Sequence, residues 1–125
     1  MFNTEYMQLL SNYARLFKPT ICDLLNNVGY AWGIRSMIYT LRTPYQEYGW
    51  YIEGNNVGVV ISIHCDNPNQ YEDLRSWKLM LGKPAPSSMR GLGQQNYITT
   101  FPLTNNGIEA IAAYLNDWGP EHFSL

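Results

Sequence analysis

Charge is scarce in this sequence. Lys, Arg, Asp and Glu together make up 14% of its 125 residues, against about a quarter in an ordinary globular chain. There are only two cysteines, Cys22 and Cys65, enough for at most one bridge. That excludes a disulfide-built scaffold, and a chain of this length does not need one. No apolar run approaches the ~18 residues of a membrane helix, so a membrane role is not expected. The opening "MFNTEYMQLL" has no basic stretch followed by an apolar one. It does not read as a secretory signal, and the expected location is the cytoplasm.

Aromatic residues fill part of the space that charge leaves. They also reach 14%, with ten tyrosines and four tryptophans. A surface built this way relies on Tyr, Asn, Gln and Ser, and rings beyond those a core absorbs are candidates for contacts with a partner. The net charge is −2, unevenly spread: between Asp73 and Glu109 there is no acid, while Arg75, Lys78, Lys83 and Arg90 give +4. The other four cations face all ten acids, leaving −6 elsewhere.

Hydrophobic periodicity organises the chain as one domain over 1–125. Tyr6, Leu9, Leu10, Tyr13, Leu16 and Phe17 recur at helical spacing, and Pro19 is expected to end that helix. Ile21, Leu24, Leu25 and Val28 predict a second helix closed by Gly29. Residues 30–41 read as a strand. "YGWYIEGNNVGVVISIHC" reads as a β-hairpin turning at Glu53, Gly54, Asn55 and Asn56, its second arm apolar on both faces and therefore central. Asn69 with Glu72 resembles a capping box, and Leu74, Trp77 and Leu81 predict a helix after it. "YITTFPL" reads as an edge strand because Pro102 cannot donate to a ladder. Ile108, Ile111, Ala112 and Leu115 mark a last helix stopping at Gly119 and Pro120. The expected fold is α+β, with two N-terminal helices and a small, mainly antiparallel sheet of three or four strands, its helices on one face.

Chemistry-bearing residues do not assemble into a signature. His64 and Cys65 are adjacent on a strand and point to opposite faces, and Cys22 and His122 show no paired ligand spacing, so no metal site is expected. Ser62, His64 and Asp66 share one strand face, the three residue types of a nucleophilic relay. However, i and i+2 positions stand about 6.6–7 Å apart on a regular strand, and a nucleophile and its base must come within about 3 Å. Glu47, Glu53, Asp66, Glu72 and Asp73 have no spacing that fits paired acid–base work and read as solvated surface. No cofactor motif is present.

Two stretches remain. "PYQEYGWYIEG" sets Tyr45, Tyr48, Trp50 and Tyr51 close together, with Tyr48 and Trp50 on one strand face and Tyr51 on the other. "LGKPAPSSMRGLGQQNY", residues 81–97, offers Lys83, Arg90, Ser87 and Ser88 around Gly91 and Gly93. It is not a phosphate-binding P-loop, since no Gly-Lys-Ser or Gly-Lys-Thr leads into a helix and Pro84 and Pro86 remove two donors. With Arg75 and Lys78 on a preceding helix, these cations would form one basic patch.

Small acidic α+β domains rich in aromatics and without a catalytic constellation resemble inhibitors, immunity proteins and phage-encoded antagonists in general type, though not in any motif. The leading expectation is therefore a non-enzymatic protein-binding domain, an inhibitor or immunity-type antagonist of an enzyme. It would contact an acidic partner surface through Lys83, Arg90, Arg75 and Lys78 in and beside the 82–96 loop, and through Tyr48, Trp50 and Tyr51 of the aromatic hairpin. A nucleotide- or nucleic-acid-binding module using the same cations, with Tyr97 or Trp77 as a stacking group, is the alternative. A small hydrolase built on His64, with Ser62 and Asp66, is the third.

Overall fold

A computed structural model describes residues 4–85 and 95–125. A long helix α1 (Thr4–Ala31) precedes β1 (Tyr39–Arg42), β2 (Glu47–Gly54), β3 (Val57–Cys65), β4 (Trp77–Lys83) and β5 (Asn96–Pro102), and α2 (Asn105–Trp118) follows. Among the described residues the strands form one antiparallel sheet in the order β1-β2-β3-β4-β5, a meander in which each strand pairs with the next. The α+β expectation with helices on one face holds, but the sheet has five strands and the N-terminal unit is one helix.

The single helix is the largest correction. Pro19 lies inside α1, where it lacks the N–H that would bond the carbonyl four residues back. Arg15 and Pro19 are both exposed, so the freed carbonyl is on the water side of the helix. The opposite side is continuous: Leu10, Ala14, Phe17, Ile21, Leu24 and Leu25 are all buried in one core. That unbroken stripe outweighs the lost hydrogen bond.

The segment after β3 is the second correction. The predicted helix starting near Asn69 is two short 3-10 turns, Pro68–Gln70 and Leu74–Ser76, followed by β4. Leu74, which was to share its buried face, is 49% exposed. Trp77, Leu79 and Leu81 are buried while Lys78 and Met80 are partly exposed, the alternation of a strand with one face in the core. The 30–41 stretch is corrected too, since α1 continues to Ala31 and the strand covers only Tyr39–Arg42.

Several expectations stand. The β2–β3 turn is made by Asn55 and Asn56 at φ 54° and 63°, both left-handed, as a two-residue hairpin turn requires. β3 is the middle strand, and β5 is an edge strand ending at Pro102. α2 ends at Gly119, φ 75°, and the structure adds its cap, the Thr104 hydroxyl accepting from the Gly107 N–H.

Both helices cover the same sheet face. Trp50, Ile52, Val59, Ile61, Ile63, Cys65, Trp77, Leu79 and Leu81 join the helix residues in the main core. Trp77 lies under Tyr6 and Tyr13, ring centroids 5.3 and 5.0 Å away, and its indole N–H donates to the Tyr71 carbonyl at 2.7 Å. α1 is also tied to β2 by Lys18 Nζ at 2.9 Å from Glu47 Oε1.

Two predictions follow from α1. Pro19→Ala should raise the free energy of unfolding in urea by about 1–2 kcal/mol, restoring an interior helical hydrogen bond at some cost in unfolded-state entropy; a loss of stability would contradict one continuous helix. The Lys18 ammonium, by its hydrogen bond, holds the Glu47 carboxyl below the usual carboxylate range. A carboxyl depressed in the folded state contributes stability above its unfolded value, and that contribution disappears as pH falls through the folded value. Lys18→Met should therefore cost at most about 1 kcal/mol at neutral pH, because both groups are partly exposed. The difference should close below about pH 4, and a deficit persisting in acid would assign the effect to packing.

Candidate functional site

The sheet face away from the helices is assembled from cross-strand rows. Tyr39 pairs with Tyr51, Tyr51 with Val60, Val60 with Gly82, and Gly82 with Tyr97, so one row runs across all five strands. Tyr39 and Tyr51 stack at 5.1 Å with planes 23° apart. A Cβ at Gly82 would collide with the Asn96 carbonyl and the Tyr97 backbone, so glycine is what allows β5 to approach there. Leu41, Tyr51 and Val60 form a small second core, with Tyr48 and Tyr97 packed against it. In the next row Leu41, Gly49, Ser62, Met80 and Thr100 follow one another, and beyond them His64, Lys78 and Pro102.

At the His64 end, the face runs into a cleft of about 440 Å³. Tyr6, Met7 and Leu10 contribute from α1, Thr43, Pro44 and Tyr45 from the β1–β2 loop, Tyr48 from β2, and Ile63 and His64 from β3. The loop is shaped by the Thr43 hydroxyl, which accepts from the N–H groups of Tyr45 and Gln46 at 3.2 and 3.0 Å. Tyr48 is half-buried and packs on both cores, and burial pushes its phenol above the ordinary tyrosine value. Tyr45 is 69% exposed at the rim. The walls are thus largely apolar and aromatic, with the His64 imidazole and the tyrosine phenols among their polar groups.

The residues singled out from the sequence are dispersed. Trp50 is fully buried and Tyr51 is 9% exposed, so both serve the cores, and Tyr48 alone of the three reaches the cleft. Arg75 and Lys78 do not share a helix: Arg75 sits in a 3-10 turn and Lys78 in β4. Arg75 is engaged by Asp73, 2.8 Å from Nη2 to Oδ2, and that pairing lowers the Asp73 pKa and raises that of Arg75. Lys83 ends β4, about 16 Å of strand from Lys78, and its ammonium donates to the Ser124 carbonyl at 2.8 Å. The cations therefore do not merge into one patch over the described residues. Arg90, with Ser87, Ser88, Gly91 and Gly93, lies outside those residues. Of the stacking candidates, Trp77 is buried and Tyr97 lies against Ser62. Tyr6 and His64, at the cleft, had no signal beyond helix and strand periodicity to mark them as neighbours.

The Ser62, His64 and Asp66 trio is not drawn into a relay. Ser62 is 2% exposed, and its hydroxyl donates to Tyr97 Oη at 2.7 Å. His64 Nε2 stands 3.7 Å from Asp66 Oδ1, with both side chains about half exposed, too far for an orienting hydrogen bond. Cys22 and Cys65 are free thiols whose pKa values burial raises, the opposite of what an activated nucleophile needs. Among the described residues, no three His, Cys, Asp or Glu side chains are grouped so as to hold a metal ion, and no helix is long and apolar enough to cross a membrane.

The Ser62–Tyr97 bond gives a direct test of this face. Tyr97→Phe should cost about 1–2 kcal/mol by leaving a buried hydroxyl unpaired, and adding Ser62→Ala should recover part of that loss. An additive double variant in thermal or urea unfolding would show that the two hydroxyls are not coupled.

No protein-family model matches the sequence, and comparison with curated proteins and with solved structures finds no similar chain.

Proposed function

We propose that this chain is a non-enzymatic protein-binding domain, an inhibitor or immunity-type antagonist of an enzyme, acting in the cytoplasm. It engages its partner at the sheet-end cleft and the uncovered face beside it. The observation that carries this reading is the cleft itself: about 440 Å³, open, walled by Tyr6, Tyr45 and Tyr48 over Leu10 and Ile63. Tyrosines on a rigid frame bury large area at small entropic cost, and protein interfaces concentrate their energy where an anchor side chain enters such a pocket.

Lys78 supports the notion of an acidic partner surface. It is the cross-strand neighbour of His64 on the uncovered face, next to the cleft, so an apolar anchor flanked by carboxylates is complementary to the pair. Lys83, at the far end of β4, belongs to the same reading only if the partner spans the length of the strand. The nucleic-acid alternative loses support from the separation of its cations, since phosphate binding gains from several charges acting together.

The test is affinity capture from the source cell with the native chain and with a Tyr45→Ala/Lys78→Glu double variant, both positions being partly or largely solvent-facing. A stoichiometric partner should co-purify with the native chain and be reduced about tenfold or more with the variant, while the melting temperature stays put. Equal capture by both would remove the cleft from the interface. RNA or nucleotide binding that falls steeply with salt, or turnover abolished by His64→Ala, would replace the class of function altogether.

A further inference from the structure

A second surface lies between the helices. α1 begins over Trp77 and ends beside Ile52, while α2 starts after Pro102 and leads to Phe123, whose ring meets Trp32 at 5.7 Å. Both helices thus run from the Trp77 end of the sheet toward the Val57 end. Their facing stripes leave a groove of about 400 Å³. Leu24, Ile108 and Leu115 form its floor but are themselves buried in the main core, and the apolar surface it leaves accessible comes from Val28, Ala31 and Trp32 at the end of α1 and Ala112 on α2.

Charge at this groove has one sign. Asp23 on α1 and Glu109 on α2 stand on opposite walls, both exposed, and the remaining polar lining is Thr20, Asn27 and Asn116. No Lys, Arg or His lines it. Neither carboxylate has an ion-pair or hydrogen-bond partner among the described residues, in contrast to Glu47 and Asp73. An apolar trough between two unneutralised acids is complementary to an amphipathic helix whose apolar stripe is flanked by Lys or Arg.

We infer that the α1–α2 groove is a docking site for a basic amphipathic helix of a partner protein. The helix lays its apolar stripe over Val28, Ala31, Trp32 and Ala112, and its flanking cations reach Asp23 on one wall and Glu109 on the other. The stripes on both walls recur at helical spacing, so the occupant packs as a third helix against two, its ridge in their groove. This site is separate from the sheet-end cleft and does not depend on it. The two surfaces have opposite charge preference, so one domain can hold two different segments.

The probe is a fluorescein-labelled peptide of about four helical turns, ~14 residues, with Leu at i, i+3, i+4 and i+7 and Lys beside that stripe. A matched peptide carries Glu at the Lys positions. Anisotropy titration of the full chain should show binding of the Lys peptide and about tenfold or weaker binding of the Glu peptide. The Asp23→Lys/Glu109→Lys variant should reverse that preference, and Ala112→Trp, which fills the groove, should abolish binding of both, each with an unchanged melting temperature. Charge reversal at Asp117 and Glu121, outside the lining, is the control and should leave the affinity within about twofold.

Equal affinity for both peptides, no binding of either, or the same loss from the Asp117 and Glu121 control would overturn the inference. So would a homodimer, seen by sedimentation without peptide, that Ala112→Trp breaks, because the occupant would then be a second copy. Loss of the cleft variant's partner in capture with retained peptide binding would separate the two surfaces and leave this one standing.

Discussion

The whole arrangement depends on the burial of β3 from both sides. Val59, Ile61 and Ile63 face the helices, while Val60 and Ser62 are covered on the other face, and all five are at most 4% exposed. Fully burying a residue of the Val or Ile kind is worth about 1.5–3 kcal/mol, whereas helix propensities among ordinary residues differ by tenths. A strand buried this completely must be paired along both edges, because unpaired backbone groups in the interior cost more than propensity can offset. β2 meets that demand on one side through the Asn55–Asn56 turn. β4 meets it on the other, and this is why residues 77–83 form a strand although Leu74, Trp77 and Leu81 also fit a helix.

The aromatic excess has largely structural uses. Trp50, Trp77 and Phe123 are buried outright, Tyr6 and Tyr13 close over Trp77, and Tyr114 and Trp118 stack at 4.6 Å on α2. Tyr39, Tyr51 and Tyr97 cover a sheet face that no helix protects. A protein with few charges seals that face with rings whose hydroxyls can still meet water, and the buried Ser62 hydroxyl finds its partner in Tyr97. Outside these packed sets, Tyr45 and Tyr48 stand at the sheet end beside His64.

Low charge density also gives the remaining charges local meaning. Lys18 and Arg75 are paired with Glu47 and Asp73, and Lys83 holds the C-terminal segment through the Ser124 carbonyl. Two sites then stand apart: Lys78 beside an aromatic cleft, and Asp23 facing Glu109 across an apolar groove. The first turns of α1 line the cleft and its last turns line the groove, so the two surfaces share no residue.

Local chemistry in the sequence determined the pieces that depend on few residues: the Asn-Asn hairpin, the Gly119 stop, the central character of β3 and the edge position of β5. Each follows from backbone preferences or from a periodicity that admits one reading. Only the tertiary structure decided the rest, because those choices turn on what lies opposite. Pro19 sits within a helix since the sheet beneath holds one continuous stripe. Trp77 to Lys83 is a strand since β3 needs a neighbour, and that change moves Arg75 and Lys78 off a common helix face. Trp50 and Tyr51 point to opposite faces as alternation requires, but both faces turn out to be packed. The cleft and the groove join residues from distant parts of the chain, Tyr6 with Tyr48 and His64, Asp23 with Glu109, and no local pattern encodes such meetings.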